Sequence, residues 1–492
     1  MFFHSLLLFN TVMPKTMKKI IIISFIGVLF SCGDLVEDMN QNPNNPTSAP
    51  YDYVLTASEV GSIIMQTGEA TRRAGIFAGQ FTGIGRQHQS YSDYLLAATD
   101  FDSQWRTTYS SIVRNAIVTE ELAQARGVQG VTLGITKVIK ALALGTATSL
   151  WGDVPFDQAG KLEFENPEFE SQPVVYGKIQ TMLDQAIVDL SAGTGRPSTG
   201  TEIYFNGAPG SWTQVAYTLK ARYYMHTKEY ANAYIAAQSG IGSDGSFDVN
   251  DLKSPHGTAG GDQNVHYQFF ALASRKSDLI TSNFFASIID ANATRNPIPA
   301  NYRGNAKTNE TARYNYLLAT TGFGVQPNTG TNGFAQIDAP GRMVTYAENQ
   351  LILAEAGARA DFNTGLARLN EFRAYMAAGG YLSNPSPANI LYDAYVAADF
   401  DNLGIENPDG LTPANALLRE ILQERYVTLF GQIEVFNDVR RTQAESLVRV
   451  PVVPNTGSQL PQRFLYSQDE INTNSSAPNP IPGLFVATEV NN

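Results

Sequence analysis

The sequence predicts an all-α body built from helical hairpins, and three observations carry that prediction. Apolar residues recur at intervals of three and four along most of the chain after Tyr53. Two pairs of such stretches are joined by very short links, which makes their helices antiparallel neighbours. The segments between them are long, rich in Asn, Gly and Thr, and have no period, so they are read as irregular loops carried on the hairpins.

The chain opens with a targeting signal. The run Ile20–Phe30 (IIIISFIGVLF) follows Lys18 and Lys19 and ends just before Cys32, the only cysteine in 492 residues. As a helix it would be about 16 Å long, too short for a bilayer core of about 30 Å. A positive start, a short apolar stretch and small residues at its end mark a cleaved secretory segment. Leu29-Phe30-Ser31 before Cys32 is similar to a bacterial lipobox, which makes Cys32 the acylated residue, carrying diacylglycerol and a further palmitate-type chain. At roughly 0.8 kcal/mol per buried methylene, two or three chains hold a protein on a membrane. Met17 begins a complete signal of its own, so residues 1–16 read as a start-site extension and residues 1–31 as signal peptide. Residues 32–50 (CGDLVEDMNQNPNNPTSAP) have neither period and read as a lipid-anchored flexible tether. Residues 51–492 are then a single helical domain.

Within it, Asp102–Arg126 places Trp105, Tyr109, Ile112, Ala116 and Leu122 on one helix face. Thr132–Leu150 is a second helix, stopped by WGDVPF (Trp151–Phe156), and Val174–Leu190 is a third. Trp212, Val215, Leu219 and Tyr223 form one stripe and Tyr230, Ala233, Ala237 and Ile241 another, across the His226–Glu229 link. A second hairpin pairs Met343–Arg359 (Ala347, Leu351, Ala354, Ala358) with Phe362–Met376 (Leu366, Leu369, Phe372, Met376). Small residues in a seam let helices approach closely, as in tetratricopeptide-type pairs. Leu417–Phe430 is the last helix. The loops are Thr82–Ala98, Gly242–Val265, Ala300–Gly341 and Ser383–Leu411. Two of them are aromatic and polar, which makes Arg86, Gln87, His88, Tyr91 and Tyr94, with Tyr302, Tyr314 and Tyr316, the candidate ligand-binding residues.

Composition excludes several function classes. Without Lys15, Lys18 and Lys19 the mature chain has 31 basic and 46 acidic residues, a net charge of −15, which argues against nucleic acid as a partner. GIGSDG (Gly240–Gly245) follows a helix, so it is a turn and not a dinucleotide fingerprint. The histidines show no ligand spacing, and DFDNLG (Asp399–Gly404) departs from a calcium loop at Leu403 and Gly410, so no metal or cofactor is expected. The charged group Arg419, Glu420, Glu424, Arg425, Asp438, Arg440 and Arg441 reads as a structural ion-pair network, and no catalytic residue is assigned. A lipid-anchored glycosidase stays an alternative, because paired carboxylates are recognised only by their separation in space.

Several stretches together resemble the SusD/RagB family of outer-membrane nutrient-binding lipoproteins, its SusD-like branch in particular. They are Cys32 with NQNPNNP, DFDSQWRTTY (Asp100–Tyr109), WGDVPF, RMVTYAENQLILAEAGAR (Arg342–Arg359), ILQERYVTLFGQIEVFNDVRRT (Ile421–Thr442) and LPQRFLYSQDEINTN (Leu460–Asn474). The resemblance implies four tetratricopeptide-like hairpins capped by irregular ligand-carrying segments. It also implies a TonB-dependent transporter (SusC-like) as partner, on the outer face of the outer membrane. The expected ligand is an oligosaccharide: aromatic faces stack on sugar C–H surfaces while Asn, Gln, Arg and Asp meet hydroxyls. Peptide is the alternative ligand.

Cys32→Ala is expected to leave the chain unprocessed or soluble and without acyl label; metabolic labelling with a fatty-acid analogue checks this, and continued labelling would contradict the anchor.

Overall fold

Apolar periodicity and glycine or proline punctuation set most of the helices. The computed structural model describes residues 49–290 and 301–492. The signal segment, Cys32 and nearly all of the tether lie outside the described residues. Tyr51–Asn492 make one compact unit, and within it the principal helices are α1 (Tyr51–Thr67), α2 (Glu69–Phe77), α3 (Arg86–Ser92), α4 (Arg114–Ala125), α5 (Val131–Trp151), α6 (Gln172–Ser191), α7 (Pro209–His226) and α8 (Tyr230–Ala237). They continue with α9 (Val265–Phe270), α10 (Thr311–Leu317), α11 (Tyr346–Ala360), α12 (Phe362–Ala377), α13 (Pro413–Thr428) and α14 (Glu434–Arg441). The helical segments Asp102–Arg106 and Thr107–Val113 run without a break into α4, the second of them π-helical, so the helix expected over Asp102–Arg126 is present.

Among the described residues four packed helix pairs result: α1 with α4, α5 with α6, α7 with α8 and α11 with α12. This is the helical-hairpin fold expected from the sequence. α5 is buried along nearly its whole length because it is central, touching α1, α4, α6 and α7, and only Lys137 and Lys140 reach outward, to Asp189 and Glu120. It stops where expected, at Gly152, whose φ of +88° no side chain tolerates easily. In the α11–α12 pair Thr345 caps α11, its hydroxyl accepting from the Glu348 N–H at 3.2 Å. Ala347, Leu351, Ala354 and Ala358 are all buried, as are Leu369, Phe372 and Met376. A Cβ on Gly365 would lie 2.4 Å from that of Ala358, so the absent side chain sets how closely the helices meet.

Charged residues also lie inside. Glu348 and Glu355, two turns apart on α11, are both fully buried. Glu348 receives a two-pronged bond from Arg222 of α7 (2.6 Å each). Glu355 receives another from Arg441 of α14 (2.6 and 2.5 Å). Arg425 and Arg359 add to the Glu355 group. Glu420 and Glu424 share Arg303, and Arg313 also meets Glu424. The expected ion-pair network is thus present, but it is buried and reaches into distant segments.

Three expectations are corrected. Thr82–Ala98 is not a loop throughout: Phe81–Gly83 pairs with Leu279–Thr281, and Arg86–Ser92 is helical. Ala300–Gly341 holds α10 and an antiparallel hairpin, Leu318–Thr321 with Gly324–Pro327. The first residues assigned to the Met343 helix, up to Val344, instead extend a strand, Gly341–Val344, paired with Leu252–Ser254.

Ala354→Leu should overpack the α11 seam and cost ~1–3 kcal/mol, read as a lower melting temperature. Burial alone would raise the Glu355 carboxyl, but Arg441, Arg359 and Arg425 outweigh it and hold it at about 2. Its folded value lies below the unfolded one of about 4.3, so its contribution is present above that pH and disappears as pH falls toward 2. Melting curves from pH 7 to 2 should show this acid loss, and Glu355→Gln should be less stable at pH 7 with a shallower acid arm.

Candidate ligand-binding site

The sequence-predicted residues come first. Helix α3 turns one face onto α2, which takes His88 and Tyr91 inward. His88 is fully buried between Glu69 (3.3 Å) and Asp278 (3.9 Å), with its ring edge-on to Phe269. Tyr91 lies under the Arg73 guanidinium, 4.5 Å from its ring centre, and its hydroxyl points to Asp100. Tyr94 is half-buried among Phe77 and Phe485, its hydroxyl accepting from the Asn455 N–H at 3.1 Å. The expectation that His88 and Tyr91 contact ligand is therefore corrected: packing against α2 and Phe269 buries both.

Arg86 and Gln87 are exposed, Arg86 holding Asp278 (2.8 Å) and the Ser274 carbonyl. Tyr302 lines a cavity of about 350 Å³ with Glu406, Arg419 and Arg449. Tyr314 is partly buried against the core, and Tyr316 is edge-on to Phe334 and near Tyr381. The two candidate segments both touch the turn before Leu279. Arg86 binds it from one side, and Gln326 donates to the Lys276 and Leu279 carbonyls from the other. Phe323, exposed at the hairpin tip, lies 5.8 Å from the Lys276 ammonium.

A larger concavity lies elsewhere. A cavity of about 810 Å³ opens between the end of α8, the chain that follows it, α11 and α12. Its floor begins at Asn349 of α11, whose amide donates to the Ala237 and Ile241 carbonyls (2.9 and 3.1 Å) and so fastens the end of α8. The chain then turns at Gly242, φ +90°, where a Cβ would lie 2.3 Å from the Tyr346 ring. Only glycine lets the backbone approach that ring. Five residues later Phe247 has φ +50°, an unusual state for a bulky residue, and is 53% exposed. Strain of this kind persists at ligand-contacting positions when the surroundings over-determine it.

Three rings form one wall. Phe247 is edge-on to Tyr346 (5.5 Å) and nearly parallel to Tyr375 (6.2 Å, 20°), and Tyr346 and Tyr375 meet at 4.9 Å. The Tyr375 hydroxyl donates to Asp248 at 3.1 Å. The same cavity is lined by a polar group: Gln350 donates to Glu371 (2.9 Å) and to the Arg368 carbonyl, while Arg368 pairs with Glu371 at 2.8 Å. Burial, then Glu371, pushes the Tyr346 hydroxyl up to about 12; burial and Asp248 push Tyr375 higher still. Both therefore remain neutral phenols. Behind the wall, burial pushes Asp251 up to about 7, although Lys253 and the Tyr346 N–H oppose it. That N–H bond, 2.6 Å, ties the start of α11 to the strand below.

A cavity lined by these rings and by Asp248, Gln350, Arg368 and Glu371 can stack on an apolar ring face and pair with hydroxyl or amide groups at its edge. Sequence reasoning left Phe247 and Asp248 inside an unassigned loop and took Tyr346 and Tyr375 as helix residues. The one signal available was the length of that loop, Gly242–Val265.

The sequence matches the SusD-like family model described as starch-binding and associating with the outer membrane, over residues 43–467. No curated protein matches it. Among solved structures, a SusD/RagB family protein from Bacteroides thetaiotaomicron is 19% identical, with a TM-score of 0.64, covering 87% of this chain and 95% of that one. A SusD homologue from Bacteroides fragilis is 17% identical, with a TM-score of 0.62 over 90% and 99% of the two chains. A chitin-binding SusD homologue from Flavobacterium johnsoniae is 16% identical, with a TM-score of 0.61 over 89% and 98%. The long family match and the four helix pairs agree, and the chain belongs to the SusD-like family.

Proposed function

We propose that this protein is a non-enzymatic, lipid-anchored binding protein of the outer-membrane surface. It captures nutrient oligosaccharide and delivers it to a partner TonB-dependent transporter. The observation that carries the ligand reading is the cavity bordered by Phe247, Tyr346 and Tyr375, with Asp248, Gln350, Arg368 and Glu371 around it. Its volume falls in the range of small-ligand sites, roughly 300–1,000 Å³. Its chemistry suits a sugar, which has apolar C–H faces and a rim of hydroxyls. The family description and the chitin-binding relative point the same way. In this reading the exposed Arg86 and Gln87, with Tyr302, Tyr314 and Tyr316, are a second region of contact for a longer chain.

Calorimetry of the protein against maltooligosaccharide, chitooligosaccharide and peptide series identifies the ligand class. Phe247→Ala removes an exposed platform and should weaken sugar binding about 5- to 150-fold, equivalent to roughly 1–3 kcal/mol. Melting should change little, because so much of this ring is already in water. Normal binding by Phe247→Ala, with loss in Arg86→Ala, would move the site to the turn beside Asp278. Binding of peptides alone would replace the sugar reading.

A further inference from the structure

The cavity beside Phe247 carries a charge pattern as well as rings. Three of its lining side chains are charged: Asp248, Arg368 and Glu371. Arg368 gives Nη1 to Glu371 at 2.8 Å and Nε to the Tyr234 hydroxyl at 3.3 Å. Those two charges offset each other, and an acid drawn to Arg368 meets Glu371 in the same place. Asp248 has no such match. Its Oδ2 accepts from the Tyr375 hydroxyl at 3.1 Å, and it forms no ion pair among the described residues. The cation closest to it in sequence, Lys253, turns its ammonium to the Asp248 main-chain carbonyl (3.4 Å) and toward Asp251 (3.9 Å). The turn that delivers Phe247 and Asp248, GSDGSFDVND (Gly242–Asp251), holds three aspartates and no Lys or Arg.

The hydrogen-bonding capacity left open has the same sign. Asp248 Oδ1 is unoccupied, and Gln350 and Arg368 both bond to Glu371 Oε2, which leaves its Oε1 open. The nearby donors are committed. The Tyr375 hydroxyl serves Asp248, the Gln350 amide serves Glu371 and the Arg368 carbonyl, and the Asn349 amide holds the end of α8. Ser243, Gln238 and the Tyr346 hydroxyl can donate or accept, so they do not discriminate. The carboxylates do: they accept from a hydroxyl, an amide N–H or an ammonium, and they repel another acid. In a partly enclosed space that repulsion is larger than it is between ions in bulk water.

We propose that Asp248 makes this cavity charge-selective: it admits sugars whose rims carry hydroxyl, acetamido or amino groups and turns away sugars bearing a carboxylate or sulfate. The inference rests on the glycan reading of the cavity and adds to it the class of glycan. Asp248 adjoins the exposed Phe247 ring in sequence and lines the same cavity, so a sugar stacked on that ring has this carboxylate within reach of its rim.

The test is a glycan array that carries neutral, amine-bearing and acidic glycans, the last group with uronate or sulfate, probed with the whole protein. At about 50 mM salt, binding is expected to neutral and amine-bearing glycans and not to acidic ones. Asp248→Asn keeps the side-chain shape and an oxygen for the Tyr375 hydroxyl but removes the charge. It should bind acidic glycans about tenfold or more tightly than wild type does, while amine-bearing glycans weaken. Wild type alone supplies a second measurement: the gap between neutral and acidic glycans should narrow at about 0.5 M salt, where charges are screened within a few ångströms. If wild type binds acidic glycans as well as neutral ones, or if the Asp248→Asn profile matches wild type, charge selectivity is overturned and the glycan site stands. Binding of peptides without any glycan overturns the glycan reading itself, and this inference with it.

Discussion

Two carboxylates on α11 organise the interior of this protein. Glu348 and Glu355 lie on one helix face, and neither reaches water. A lone buried carboxylate is so costly that the fold must bring a cation to each. Arg222 comes from α7 and Arg441 from α14, the latter with Asp438 and Arg425 around it. Glu434 extends the group, meeting Arg222 at 3.6 Å and the His226 ring at 2.7 Å. Such pairs are weak evidence for net stability, since apolar replacements of similar size often do as well. Losing one partner, however, costs about 3–5 kcal/mol. Their clearer effect is on register. Helix α11 can neither slide nor rotate without stranding a charge, so its other faces are fixed as well.

That constraint positions the candidate site. With Glu348 and Glu355 turned inward, Tyr346, Asn349, Gln350 and Leu353 fall along the cavity. Asn349 then holds the end of α8, and the chain that leaves α8 must turn against Tyr346, which only glycine at position 242 allows. Phe247 is delivered to the rim in a left-handed conformation, stacked on Tyr375 from α12. The wall of the candidate site thus combines side chains from two helices with one strained residue on a short turn. The helices give the site its precision, and the turn carries its exposed ring.

Helix patterns were legible in the sequence because a 3.6-residue period requires no knowledge of neighbours. The α5, α6, α7 and α12 stretches, and the alanines of the α11 seam, lie close to where periodicity puts them. The short α3 was not legible: seven residues rich in Gln and Ser cannot hold a helix by propensity, and tertiary contacts of His88 and Tyr91 with α2, Phe269 and Asp278 stabilise it. Buried charge was similarly invisible, since Arg303 and Glu424 stand more than a hundred residues apart.

The sequence by itself determined the all-α class, the hairpins, the acidic balance and, through an ordered series of motifs, membership of the SusD-like family. Each of these depends on local spacing or on composition. Tertiary structure decided which aromatics face solvent. Tyr91 and Phe247 look alike in sequence, each an aromatic among polar residues in a long segment. One is turned under Arg73 by the packing of α3, and the other is held out over Tyr375 by a strained turn. Exposure is a property of what else occupies the space around a side chain, and those neighbours come from parts of the chain that no local pattern connects.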